Sequence, residues 1–330
     1  MRNNSIDIFK LIFMLIICYH HATWIGLTHG YLPVEFFFMV TGFFLYRTYL
    51  KKNIDIKQYF IHRVKRIYTS YLPVLVFYVS FALLMPQFYI GQSFDKWFLI
   101  ALRDLFLLQG TGMTGEWSGF VRFNPSDWFL SVLLWGGMIV YAILRLSKNW
   151  RIIFIIISLS VFSYYTVNSN INSVWCYKCC FYMPLWRGIS GMALGALIGF
   201  IYYNTNIITS DKSSRILSLL SIIVIPIVFY CFWSSSNIDY LGILGFIIIL
   251  ISCLNEKTIL YKIGTKMPKV PDITLEMLLI HKFIIIVSSK ICAVIGVPIA
   301  FNIFLFAILV ISCSIVYKKS ISLTLNKFQI

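Results

Sequence analysis

The first apolar run of the chain carries four ionisable side chains, Asp7, Lys10, His20 and His21. On an α-helix, Lys10 and His21 fall within about 20° of each other around the axis and about 16 Å apart along it. Asp7 lies within about 40° of that face, and His20 about 80° from Lys10. One stripe of this helix is therefore ionisable from one end nearly to the other. The next run opens Pro33-Val34-Glu35 after a short turn, so Glu35 reaches about the depth of His21 if both segments are helical. A carboxylate beside an imidazole fixes its tautomer and stabilises its cation, which is what a general base requires. The bland readings are a packed histidine bonded to a neighbouring helix and a paired structural acid.

Further along, Tyr59-Phe-Ile-His-Arg-Val-Lys-Arg-Ile67 places Arg63 and Arg66 three residues apart on one helical face. Guanidinium forks bind phosphates bidentately, although basic residues at an inner membrane boundary are expected for topology alone. Glu276 and His281 sit about 140° apart on one apolar segment, so they form no local pair, and either could line a cavity. Trp128, in Asn124-Pro-Ser-Asp-Trp-Phe-Leu-Ser131, reads as an aromatic-belt anchor at the outer interface. Gly191, Gly195 and Gly199 form a small-residue seam suited to close helix packing. Five cysteines lie in apolar runs as small hydrophobes, whereas Cys176, Cys179 and Cys180 share an outer loop where an oxidising compartment permits a disulfide. No histidine or second cysteine pair near them completes a zinc set, so no metal is expected.

The elements that must hold these groups follow from composition. Of 330 residues, 59% are hydrophobic and 12% charged, with a mean hydropathy of +0.83, which excludes soluble globular classes. Apolar runs long enough to cross a hydrocarbon core of about 30 Å recur from end to end. The spans are expected near Ser5–Leu27, Leu32–Tyr49, Ile67–Met85, Trp128–Leu146, Ile152–Val167, Pro184–Tyr203, Ile216–Trp233, Tyr240–Leu254, Ile273–Ser289 and Cys292–Tyr317. The expectation is an all-α, polytopic membrane bundle of ten helices and one domain over residues 1–330. With both termini cytoplasmic, 21 of the 28 Lys and Arg residues fall on the inner side. The net charge of +16 thus reads as topology rather than as affinity for nucleic acid. The first span has Asp7 and Lys10 early and no Ala-x-Ala site after it, so it reads as uncleaved.

In order along the chain, several segments then match one pattern. Lys10 and His21 fit a basic residue followed in the first span by His, with ten residues between. Pro33-Val-Glu35-Phe-Phe-Phe-Met-Val-Thr41-Gly42-Phe43 fits Gly-Val-Asp-hydrophobic-Phe-Phe-x-x-Ser-Gly-Phe, and Arg63-Val-Lys-Arg66-Ile67, followed by Tyr71, fits Arg-x-x-Arg-Ile. Trp128-Phe129-Leu130 fits Trp-Phe-Leu, and the segment from Thr274 to His281 fits Ser-x-x-x-Tyr-Leu-x-His. The chain resembles the acyltransferase-3 family, integral-membrane O-acyltransferases of the type that O-acetylates bacterial surface glycans. It departs at Glu35 for Asp, Thr41 for Ser, Thr69 where Pro is frequent, and Leu278 for Tyr.

The resemblance implies an enzyme of the bacterial cytoplasmic membrane. Its donor would be a cytoplasmic acyl-CoA, acetyl-CoA above all, and its acceptor an extracytoplasmic glycan such as O-antigen, capsule or exopolysaccharide. His21 would be catalytic with Glu35 beside it. Lys10, Arg63 and Arg66 would hold the donor, and Trp128, Glu276 and His281 become candidates for substrate binding. A polysaccharide transporter also needs intramembrane polar groups, but no internal repeat favours one. Nothing in the sequence fixes an oligomeric state.

Overall fold

The computed structural model describes residues 3–22, 25–52, 54–84, 94–113, 124, 126–168, 177–178, 181–236, 238–296 and 298–328. Cys176, Cys179 and Cys180 lie outside them. Apart from one two-stranded hairpin, β1 (Tyr177–Lys178) and β2 (Phe181–Tyr182), the regular structure is helical, as the composition requires. The chain gathers into two compact units, each drawn from three separate stretches.

The first unit comprises Met1–Ile54, Gly137–Trp175 and Trp186–Thr274. It contains α1 (Asn4–Ala22), α2 (Pro33–Lys52), α6 (Gly137–Leu144), α7 (Lys148–Asn168), most of α8 (Met183–Asn204), α9 (Asp211–Trp233), α10 (Asp239–Leu254) and α11 (Ile259–Lys266). α1 buries Ile6, Phe9, Phe13, Met14, Ile17 and Cys18, one face at helical spacing. The Phe13 ring meets Phe36 edge-on at 4.9 Å and Phe246 at 5.1 Å between centroids. α2 is buried almost all round from Pro33 to Tyr46 and is central to this unit.

The glycine seam on α8 does what its spacing predicts. A Cβ on Gly195 would overlap the carbonyl oxygen of Met39, and one on Gly42 that of Met192, so the backbones of α2 and α8 touch. At Gly199 the same atom would sit 3.0 Å from Tyr46 Cβ, a contact that side-chain movement can relieve. Gly195→Ala should therefore lower the thermal unfolding midpoint in detergent well beyond Gly199→Ala, at a cost of about 1–3 kcal/mol or more. Equal midpoints for the two variants would show that the helices do not approach this closely.

The second unit comprises Asp55–Gly136, Cys176–Leu185 and Leu275–Ile330. It holds α3 (Ile56–Leu84), α4 (Phe94–Leu105), α5 (Asp127–Ser131), a π-helical turn (Val132–Gly136), the hairpin, α12 (Thr274–Ile295) and α13 (Ile299–Phe328). α3 starts earlier than the expected span, because Asp55 Oδ1 accepts from Gln58 N at 2.6 Å and caps the helix eleven residues before Ile67. Arg63 and Arg66 accordingly lie inside a continuous helix rather than in a loop. The expected break between Ser289 and Cys292 is displaced to Gly296, whose φ of +74° suits glycine, with Pro298 preventing continuation.

Seven helical segments are long and apolar enough to span a membrane, and eight if α10 and α11, bent by 62°, form one broken span. α2 and α7, both counted among the ten expected spans, are not in that set. Leu219 on α9 and Phe304 on α13 are 62% and 72% exposed, the arrangement of helices that face lipid. The protein is a polytopic, α-helical integral membrane protein.

Candidate active site

In the first unit, Lys10 and His21 stand on one unbroken helix, so the stripe is realised as the spacing predicts. Its inner end is neutralised. Lys10 Nζ lies 3.2 Å from Asp7 Oδ1 and 3.3 Å from Asp272 Oδ1, a pair of carboxylates sharing one ammonium. His21 is half-buried in the last turn of α1, its ring 5.6 Å from that of His20. His20 Nδ1 lies 2.8 Å from Leu27 O, tying the end of α1 to the following turn.

Glu35 occupies the first turn of α2, with Pro33 as the first helical residue, and is fully buried. Its partner differs from the expected one. Glu35 Oε1 accepts from Nε of Arg187 on α8, not from His21. The physical reason is charge: a permanently charged fork compensates a buried carboxylate more fully than an imidazole can. Arg187 also stacks over the Tyr31 ring, 5.9 Å from its centroid, and its Nη2 reaches Tyr31 O at 3.5 Å. Glu35 Oε2 is buried without a hydrogen bond and faces the gap that Gly191 leaves open.

The His–carboxylate pair that the sequence suggests at His21 exists elsewhere. His29 Nδ1 lies 2.6 Å from Asp239 Oδ1, and Tyr31 Oη donates to both carboxylate oxygens at 3.1 and 3.2 Å. His29 and Asp239 are 4% and 0% exposed. The chain signal was thin, since His29 sits in a turn and Asp239 opens a helix 210 residues later. Arg187 was more legible, because an Arg four positions into an apolar run is an intramembrane charge in search of an acid.

In the second unit, Arg63 is half-buried and Arg66 exposed, one turn apart and close enough to interact electrostatically. Arg63 Nε is buried with no acceptor. A buried donor left in that state costs about 1–3 kcal/mol, which an anionic ligand would offset. Glu276 accepts from Ser70 Oγ at 3.1 Å, with Lys318 Nζ 3.7 Å away. His281 Nδ1 lies 2.8 Å from Leu278 O, and its Nε2 is 3.4 Å from Ser126 Oγ. Asn124 Nδ2 donates to Leu279 O at 3.1 Å, so the opening of α5 is fastened to α12 and Trp128 follows, half-buried. Glu276 and His281 thus have separate partners, as their angular separation predicts.

Of the eight residues singled out, Lys10, His21 and Glu35 belong to the first unit, and Arg63, Arg66, Trp128, Glu276 and His281 to the second. Fold and polar groups together define a multi-pass membrane protein that keeps ionisable side chains inside its helices, a class in which such groups serve catalysis or transport. The acyltransferase 3 family model, an acyltransferase domain, matches residues 3–318 and so runs through both units, and the chain belongs to that family. It is a membrane acyltransferase acting on groups other than aminoacyl. No curated protein and no solved structure matches the chain.

Proposed function

We propose that the protein transfers an acetyl group from acetyl-CoA on the cytoplasmic side to a hydroxyl of an extracytoplasmic glycan, within a ten-span bundle whose termini are both cytoplasmic. His21 is the general base. It takes the hydroxyl proton as the sugar oxygen attacks the thioester carbonyl. The C–S bond breaks and the proton passes to the departing CoA thiolate. The Glu35–Arg187 pair holds the start of α2 in place next to the turn that follows His21, so Glu35 is a positioning residue rather than the direct partner of the imidazole.

The observation that carries the donor assignment is Arg63: a buried guanidinium nitrogen without an acceptor, one turn from a second arginine. Two neighbouring cations and an unmade hydrogen bond suit the phosphates of CoA. Lys10 is assigned to the donor through the stripe it shares with His21, its charge already balanced by Asp7 and Asp272. Trp128, Glu276 and His281 are assigned to substrate binding. For this account, the Arg63→Ala/Arg66→Ala protein should bind acetyl-CoA about 10- to 100-fold more weakly, as expected for charge-assisted hydrogen bonds worth about 1.5–3 kcal/mol. Titration of acetyl-CoA into the purified double variant and wild type checks this. Unchanged affinity would remove the donor site from α3.

A further inference from the structure

A second set of buried polar groups, used by none of the steps above, converges on one tyrosine of the second unit. Tyr71 is fully buried on α3 and donates to Asp104 O at 2.8 Å. Its hydroxyl also lies beside Gln109 and Asp127. Gln109 and Asp127 are 6% and 2% exposed, yet both amide atoms of Gln109 and Oδ1 of Asp127 have no hydrogen-bond partner. Buried polar atoms are nearly always paired, and three unpaired atoms around one hydroxyl is a concentration that packing does not explain. A ligand that makes those bonds explains it.

The frame around them is rigid. Gly110 N donates to Ser131 Oγ at 3.0 Å, and a Cβ on Gly110 would sit 2.6 Å from Trp128 O, so the turn carrying Gln109 is pressed against α5. Trp135 Nε1, on the π-helical turn, donates to Leu107 O at 3.0 Å from the other side. Single π turns inside longer helices occur often at functional sites.

The chemistry of the open valences selects the ligand. The Gln109 amide offers a donor and an acceptor, Asp127 an acceptor, and Tyr71 an oxygen with lone pairs to spare. A group that both gives and receives hydrogen bonds, a hydroxyl, satisfies this set. A bare cation meets the Arg103 guanidinium, whose Nε donates to Asp104 Oδ1 at 2.8 Å, and an amide N–H that repels it. Trp128, next in sequence to Asp127, supplies an aromatic ring for the apolar face of a sugar. We infer that Gln109, Asp127 and Tyr71 form a subsite for hydroxyls of a neutral sugar ring, which rests on the reading that the acceptor is a glycan.

The test uses the full-length protein in lipid nanodiscs, with saturation-transfer NMR of methyl β-glucopyranoside, methyl α-galactopyranoside and methyl N-acetyl-β-glucosaminide as probes. Acetyl-CoA affinity and the thermal midpoint are measured on every preparation. The expected result is saturation of at least one glycoside by wild type, reduced at least tenfold in Gln109→Leu and Asp127→Asn, with acetyl-CoA affinity within twofold. Gln109→Glu keeps the side-chain volume while exchanging donor for acceptor, and should lose the same signal if the leucine variant does not fold. Equal saturation in wild type and variants would overturn the subsite. So would absence of any glycoside signal from protein that binds acetyl-CoA, or calcium binding that disappears in Asp127→Asn without a glycoside signal. Glycoside binding at this site by protein that ignores acetyl-CoA would keep the subsite and reject the donor assignment instead.

Discussion

A His21→Ala protein is expected to bind acetyl-CoA as wild type does and to transfer its acyl group about 10²- to 10⁴-fold more slowly, the range that a positioned general base supplies. The separation of binding from rate follows from the chemistry. The imidazole acts on the acceptor hydroxyl as it attacks, so its removal affects the transition state rather than the ground-state donor complex. His20 is the internal control. Its Nδ1 is engaged with Leu27 O, so His20→Ala should reduce stability while leaving the rate per folded molecule within a few-fold. Rate measurements on folded-protein-matched preparations distinguish the two, and added imidazole should restore part of the His21→Ala rate. A His21→Ala enzyme with wild-type turnover would remove the base from α1.

The second large effect concerns the buried pair that holds α2 to α8. Arg187→Ala strands the Glu35 carboxylate, fully buried, without its cation, at an expected cost of about 3–5 kcal/mol. The removal of both charges should be far milder, because replacing a buried pair by packed groups of similar volume is often nearly neutral. Glu35→Gln/Arg187→Met is therefore expected to be more stable than Arg187→Ala. A double-mutant cycle built from Glu35→Gln, Arg187→Met and their combination should give a coupling energy of about 1 kcal/mol or more. Thermal and denaturant unfolding in detergent provides the numbers. Strict additivity of the two single changes would mean that the pair is not formed.

Much of this protein was legible before any coordinates. Composition dictated membrane helices, the period of α1 aligned Lys10 with His21, and the spacing of Gly191, Gly195 and Gly199 announced the contact with α2. These are local signals, carried by one segment each. What escaped is tertiary. The partner of Glu35 lies 152 residues away on α8, and Asp239 lies 210 residues from His29, separations that no periodicity encodes. Similar depth in two adjacent helices made His21 and Glu35 natural companions, but depth does not fix the angle around each axis. The start of α3 was misplaced because Asp55 caps a polar first turn that hydropathy alone reads as loop. The π turn at Val132–Gly136 left no mark in a run that is apolar in either helical form.

The most direct test of the central claim is the fate of the acetyl group. Purified wild-type protein in nanodiscs would be given acetyl-CoA labelled in the acetyl carbon together with an oligosaccharide acceptor, and free CoA thiol and saccharide-bound label would be followed together. The account predicts equal amounts of the two products, the label held in an alkali-labile ester, and no thiol release above background without acceptor. Well-folded protein that binds the saccharide yet consumes no thioester, with acetyl-CoA or any longer acyl-CoA, would contradict it.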